Sequence, residues 1–104
     1  MELRDYLIFL YDIYGELFND KQREYFENYY FHNLSLSEIS NNLGVSRNAI
    51  HKVIQGVEDK LVFYEEKLRL FQINRKICDI IELENIIEMK EQLERIVCGD
   101  EFCG

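Results

Sequence analysis

Apolar side chains recur every three or four residues along most of this chain, which is the spacing of amphipathic α-helices. In residues 3–18 they form one broad stripe, at Leu3, Tyr6, Leu7, Phe9, Leu10, Ile13, Tyr14, Leu17 and Phe18. Gly15 interrupts this predicted helix and suggests close packing at that point. Asn19 or Asp20 then caps a second predicted helix, with Gln22 placed to complete a capping box. Its aromatic residues are typical of a core with a polar rim rather than of a base-stacking platform: Tyr25, Phe26, Tyr29 and Tyr30.

Residues 35–57 have the signals of a helix-turn-helix. Ser35 and Glu38 can form a capping box at the start of a short helix. Gly44 suits the left-handed backbone of a tight turn. Ser46 is placed to cap a second helix. The apolar positions that would let the two helices cross are Ile39, Leu43, Val45, Ile50 and Val53.

The second helix of this motif has a polar side formed by Arg47, Asn48, His51, Lys52 and Gln55. Arginine can bind guanine through two hydrogen bonds, asparagine and glutamine can do so with adenine, and lysine binds phosphates. The pattern therefore predicts contacts with DNA. A plain helical hairpin with a solvated polar side is the alternative.

Apolar positions continue beyond Gln55, so the second helix of the motif is expected to extend well past the turn, through Val57, Leu61, Tyr64, Leu68 and Phe71. At Gly56 the helix either continues at a cost of about 1 kcal/mol relative to alanine or bends. Two further helices are predicted between residues 71 and 97, with Asn85 as a cap. They carry more apolar residues than a small three-helix head needs, which favours a homodimer. The fold class is all-α: a helical bundle in one domain over residues 1–97, with extra C-terminal helices and a flexible tail at 98–104.

The chain has 104 residues, no proline and a net charge of −8. Acidity opposes nucleic-acid binding, because attraction to phosphates supplies most non-specific affinity. The charge is uneven, however: it is −4 over residues 1–20, −1 over 21–43, +3 over 44–76 and −6 over 77–104. The positive segment contains the polar side described above. An acidic remainder would orient a bound duplex toward that side.

Several classes of protein find no support in the sequence. There is no phosphate-binding loop and no nucleophile paired with a histidine, so we expect no enzyme and no cofactor. His51 has no second ligand at metal-binding spacing, so we expect no metal site. No apolar run approaches the length of a membrane span. The chain has three cysteines, Cys78, Cys98 and Cys103, and these are not expected to form a disulfide framework. This indicates a reducing, cytoplasmic location.

Two resemblances carry functional content. Residues 34–54, LSLSEISNNLGVSRNAIHKVI, resemble the helix-turn-helix of region 4 of bacterial sigma factors. The chain also resembles the YlxM family, over the whole of residues 1–97 and including the segments YDIYGELFNDKQREYFENYYFHNLSLSEI and VEDKLVFYEEKLRLF. These are small helical proteins of Gram-positive bacteria and mycoplasmas, encoded beside the genes of the signal recognition particle GTPase and its receptor. The resemblance implies a DNA-binding regulator with a part in co-translational protein targeting.

The resemblance to sigma factors makes Arg47, Asn48, His51, Lys52 and Gln55 the base-facing residues and Ser46 a cap that also meets a phosphate. The leading hypothesis is a non-enzymatic, homodimeric DNA-binding regulator. The alternative is a module that binds the signal recognition particle GTPase or its RNA, with the acidic residues 77–97 meeting a basic surface of that partner.

Overall fold

A computed structural model describes residues 1–82 and 86–97, which form six α-helices and no strand. They are α1 Leu3–Tyr14, α2 Asp20–Tyr30, α3 Leu36–Leu43, α4 Arg47–Leu68, α5 Leu70–Ile81 and α6 Ile86–Val97, with a short 3-10 helix at Gly15–Leu17. The all-α prediction is confirmed. None of the described helices is both long enough and apolar enough to cross a membrane.

The helices fall into two compact units, residues 1–68 and the residues from Arg69 onward. The prediction of one domain over residues 1–97 therefore stays a prediction. Arg69 separates α4 from α5 and has a left-handed backbone, with φ of 55°. The helix predicted to run from the motif through Phe71 thus ends earlier, at Leu68.

In the first unit, α1, α2 and α3 all pack on α4. The buried residues of α4 recur every three or four positions, so they form one stripe: Ile50, Ile54, Val57, Leu61 and Glu65. The carboxylate of Glu65 accepts a hydrogen bond of 2.8 Å from the hydroxyl of Tyr14 in α1. Helix α4 is therefore the central element of this unit, and it continues through Gly56.

Helix α1 is shorter than the predicted 3–18, because the backbone tightens into the 3-10 helix after Tyr14. Leu17 consequently leaves the buried stripe and is 58% exposed. Leu3, in the first turn, is 70% exposed, and Phe9 is 49% exposed, so their assignment to the buried stripe was wrong. The close packing predicted at Gly15 is present: a Cβ there would lie 3.3 Å from the ring of Tyr11.

The aromatic residues of α1 and α2 form the core, as predicted. The ring of Phe26 stacks on those of Tyr11 and Tyr30, with centroids 4.3 Å apart in each pair. The hydroxyl of Tyr11 donates to Glu27, and that of Tyr30 donates to Glu58. Each tyrosine thus buries its ring and directs its hydroxyl to a carboxylate, which is the polar rim that the sequence indicated.

Arg4 of α1 closes the C-terminal end of α2. Its guanidinium donates to the carbonyl oxygens of Tyr30 at 2.8 Å and Tyr29 at 3.3 Å, and to Oδ1 of Asn33 at 2.8 Å. Helix C-termini leave carbonyl groups without intrahelical partners and carry partial negative charge. A cation from α1 therefore satisfies the end of α2 and links the two helices.

The second unit contains α5 packed on α6. Ile80 and Ile96 are its buried residues among those described. The predicted cap at Asn85 and the predicted tail at 98–104 lie outside the described residues. This unit has a small buried core and many exposed apolar side chains.

Candidate nucleic-acid interface

The first helix of the motif begins at a complete capping box. Ser35 Oγ accepts from the amide of Glu38 at 3.1 Å, and Glu38 Oε1 accepts from the amide of Ser35 at 3.1 Å. The helix ends at Gly44, whose φ of 68° and ψ of 27° are left-handed. The amide of Gly44 donates to the carbonyl of Ser40 at 2.9 Å. Both ends are therefore fixed by local chemistry.

The turn itself is fixed by a hydrogen bond across it. Ser40 Oγ donates to the carbonyl oxygen of Val45 at 2.6 Å. Ser46 Oγ then accepts from the amide of Ala49 at 3.2 Å and caps α4. Ile39 and Ile50, one from each helix, are fully buried. These contacts hold the start of α4 at a defined angle to α3, so the predicted helix-turn-helix is confirmed.

We call the five side chains Arg47, Asn48, His51, Lys52 and Gln55 the reading face. All five are exposed. Ile50 and Ile54 are buried on another side of the same helix. The structure thus brings the predicted residues together on one surface of the first turns of α4.

A shallow open depression lies at the start of the reading face. It is lined by Leu36, Ser46, Arg47, Asn48 and His51. Leu36 was not predicted as a site residue. It is the first residue of α3, and the capping box at Ser35 was the signal that could have indicated its place beside the turn. The depression offers an apolar wall next to polar side chains.

The polar side of α4 changes its charge beyond Gln55. Successive positions on that side, four or three residues apart, are Asp59, Val62 and Glu66. The cations of the reading face, Arg47 and Lys52, lie in the first two turns. A polyanion is therefore attracted to the N-terminal end of α4 and repelled further along the same side.

Among residues 1–82 and 86–97, no three His, Cys, Asp or Glu side chains are grouped so that they could hold a metal ion. The sulfur of Cys78 is free and exposed. The arrangement in α3 and α4 is suited to binding a polar, anionic surface through side chains on one helix.

A capped helix, a left-handed glycine turn and a second capped helix with an exposed polar side define a helix-turn-helix protein. The chain belongs to the UPF0122 family, whose profile matches residues 1–97 and is described as "Putative helix-turn-helix protein, YlxM / p13 like". The resemblance to the YlxM family is thereby confirmed.

Several relatives from this family are similar over most of the chain. A UPF0122 protein of Caldanaerobacter subterraneus subsp. tengcongensis is 46% identical over 77 residues, which are 74% of this chain and 66% of the relative. One from Thermoanaerobacter sp. is 40% identical over 91 residues, 86% of this chain and 78% of the relative. One from Ureaplasma urealyticum is 43% identical over 93 residues, 89% of this chain and 94% of the relative. The chain thus spans about two thirds of the first relative and nearly all of the last.

Proposed function

We propose that this protein is a cytoplasmic, non-enzymatic DNA-binding regulator that inserts the start of α4 into the major groove. The observation that supports this most is the exposure of all five reading-face side chains on one capped helix. In helix-turn-helix proteins the second helix contacts base edges with its N-terminal residues. The resemblance to sigma factor region 4 assigns the same role to the same helix.

Each reading-face side chain has a specific chemical use in this proposal. Arg47 binds guanine through two hydrogen bonds, Asn48 and Gln55 bind adenine, and Lys52 neutralises a phosphate. Ser46 and the free amides of the first turn of α4 meet a second phosphate, because helix N-termini attract anions. Asp59 and Glu66 limit the contact to the N-terminal half of α4.

The first experiment is a fluorescence-anisotropy titration with a pool of randomised duplexes at low and at physiological salt. The variant Arg47→Ala plus Lys52→Ala removes both cations of the reading face. The matched control, Lys60→Ala plus Lys67→Ala, removes two exposed cations from further along the same helix, outside the reading face. Both variants change the net charge equally, so a difference between them reports position.

We expect salt-dependent binding that is weakened in the reading-face variant and retained in the control. Each phosphate contact contributes about 0.9 to the slope of log affinity against log salt concentration. The reading-face variant should therefore lower that slope by about 1 to 2. Equal losses in the two variants would mean that the reading face is not the contact surface, and absence of binding at low salt would refute DNA binding.

The proposal includes a homodimer. Two copies related by a two-fold axis would present two reading faces about 34 Å apart, one turn of the duplex. Sedimentation equilibrium at micromolar concentration tests this. A monomer at every concentration would exclude a paired half-site.

The second candidate is a module that binds the signal recognition particle GTPase or its RNA. The exposed acidic residues of α6, Glu88, Glu91 and Glu94, favour it, since they suit a basic protein surface. Pull-down of the purified GTPase with and without its RNA separates the alternatives. Capture that needs no RNA supports a protein contact, and capture that nuclease abolishes supports an RNA contact.

A further inference from the structure

The hairpin of α5 and α6 has one polar side. A pocket of about 130 Å³ lies there between the two helices, lined by Lys76, Asp79, Ile80, Gln92, Arg95 and Ile96. Both helices contribute polar side chains to this pocket, so these side chains lie on the same side of the hairpin.

The opposite side is apolar. Each residue advances about 100° around a helix, so the stripe Asn74, Ile77 and Ile81 lies roughly half a turn from Lys76 and Asp79. In α6 the stripe Ile86, Lys90, Leu93 and Val97 is likewise half a turn from Gln92 and Arg95. Ile81, Ile86 and Val97 are 67%, 78% and 81% exposed. We call this surface, formed by Ile77, Ile81, Ile86, Leu93 and Val97, the hairpin face.

We propose that the hairpin face is the dimer interface, on which the hairpin of a second copy packs to complete a four-helix bundle. This rests on the homodimer of the proposed function and gives it a location. The intervals of three and four residues in both stripes are those of helices that pack through interlocking side chains. Each stripe also contains one polar residue, Asn74 or Lys90, and such residues fix the register of packed helices.

The positions of two charged side chains indicate which helices of the two copies pack on each other. Arg75 directly follows Asn74 of the α5 stripe and lies about 100° further around the helix, where its guanidinium is 5.8 Å from the ring centroid of Phe71. Glu94 directly follows Leu93 of the α6 stripe and is displaced by about 100° in the same sense. If α5 packs on α6 of the second copy, Arg75 lies beside the second copy's Glu94. If α5 packs on α5, arginine faces arginine and glutamate faces glutamate, which is unfavourable. The two-fold axis therefore runs along the helices and pairs α5 with α6.

Sedimentation equilibrium of the full chain without DNA tests the interface. Ile81→Glu plus Leu93→Glu puts carboxylates into the hairpin face, and both positions are exposed in one chain, so the helices should form. The matched control is Leu3→Glu plus Leu17→Glu, two exposed leucines of the first unit. Circular dichroism verifies helix content in each variant.

We expect the native chain to be a dimer, the hairpin variant to raise the dimer dissociation constant by roughly 100-fold, and the control to leave it unchanged. A native monomer, or equal weakening by the control, overturns the proposal. Because no DNA is present, the result is independent of the reading face: a dimer that binds no DNA refutes the proposed function alone.

A charge exchange tests the pairing of α5 with α6. Arg75→Glu alone and Glu94→Arg alone should each weaken the dimer by roughly tenfold, since each reversal places like charges together twice in a two-fold dimer. The double variant should recover native dimerisation. Further weakening in the double variant, or no change in either single variant, overturns the pairing.

Discussion

Replacing Gly56 with alanine should raise the free energy of unfolding. Gly56 lies inside α4, and a Cβ built there meets no atom within 4 Å. The added methyl group therefore has no steric cost and forms no new contact. Its effect comes from the lower conformational freedom of the unfolded chain, about 0.5–1 kcal/mol in favour of the folded state. For a chain of this size, that raises the midpoint of thermal unfolding by about 2–8 °C.

Gly44→Ala is the matched control, because the same methyl group is added to the same motif. A Cβ at Gly44 also meets nothing within 4 Å, but the φ there is +68°. The left-handed conformation costs a residue with a Cβ about 1–2 kcal/mol. We therefore expect opposite signs for the two substitutions in urea unfolding followed by circular dichroism. The urea dependence of the free energy should be unchanged in both variants.

Either of two results would refute the reasoning. If Gly56→Ala lowered the free energy of unfolding, the helix would bend at residue 56 and the stripe from Ile50 to Leu61 would not be continuous. If both substitutions were destabilising by the same amount, the backbone conformation at Gly44 would not be the cause of its effect.

Three further outcomes are expected. Arg4→Ala should lower the free energy of unfolding by about 1–2 kcal/mol, because it removes the charged donor to the last carbonyls of α2; an unchanged urea midpoint would contradict this. Ser46→Ala should cost about 1 kcal/mol through loss of the cap of α4, and Ser46→Asn should recover most of it in the same assay. Burial raises the pKa of Tyr11 from 10.0 to about 12 and also raises the pKa of Tyr30. Both hydroxyl groups therefore hold their protons more tightly in the folded than in the unfolded state, so the free energy of unfolding should have its full value below pH 10 and fall as the pH rises toward 12. Tyr11→Phe should reduce that fall, measured by urea unfolding at several pH values. An identical pH dependence in the variant and the native chain would contradict this.

The boundaries of the helix-turn-helix could be predicted because they depend on neighbouring residues. Ser35 with Glu38, Gly44 and Ser46 each act on a backbone group within a few residues, so local sequence determines them. The reading face followed from the helical period alone. Its contact with DNA depends on a partner, and that part remains a prediction.

Other features depended on distant contacts or on weak local signals. The break between α4 and α5 was not predicted because arginine rarely adopts the left-handed backbone found at Arg69. Leu17 was placed in the buried stripe because the period was extended past Gly15, where the backbone in fact tightens. At Gly56 the sequence allowed a bend or a straight helix, and packing along the whole stripe of α4 favours the straight one.

In the proposed function, the continuity of α4 makes DNA recognition depend on packing far from the duplex. The segment from Arg47 to Gln55 is too short to be a stable helix in water by itself. It stays helical because α4 continues beyond it, where Val57 and Leu61 are fully buried and the helix packs on α1 and α2. In the proposed function, only molecules in which this packing is intact recognise DNA, and the apparent affinity falls in proportion to their fraction. A ligand or substitution that loosens α1 would then weaken the proposed DNA contact without touching the duplex.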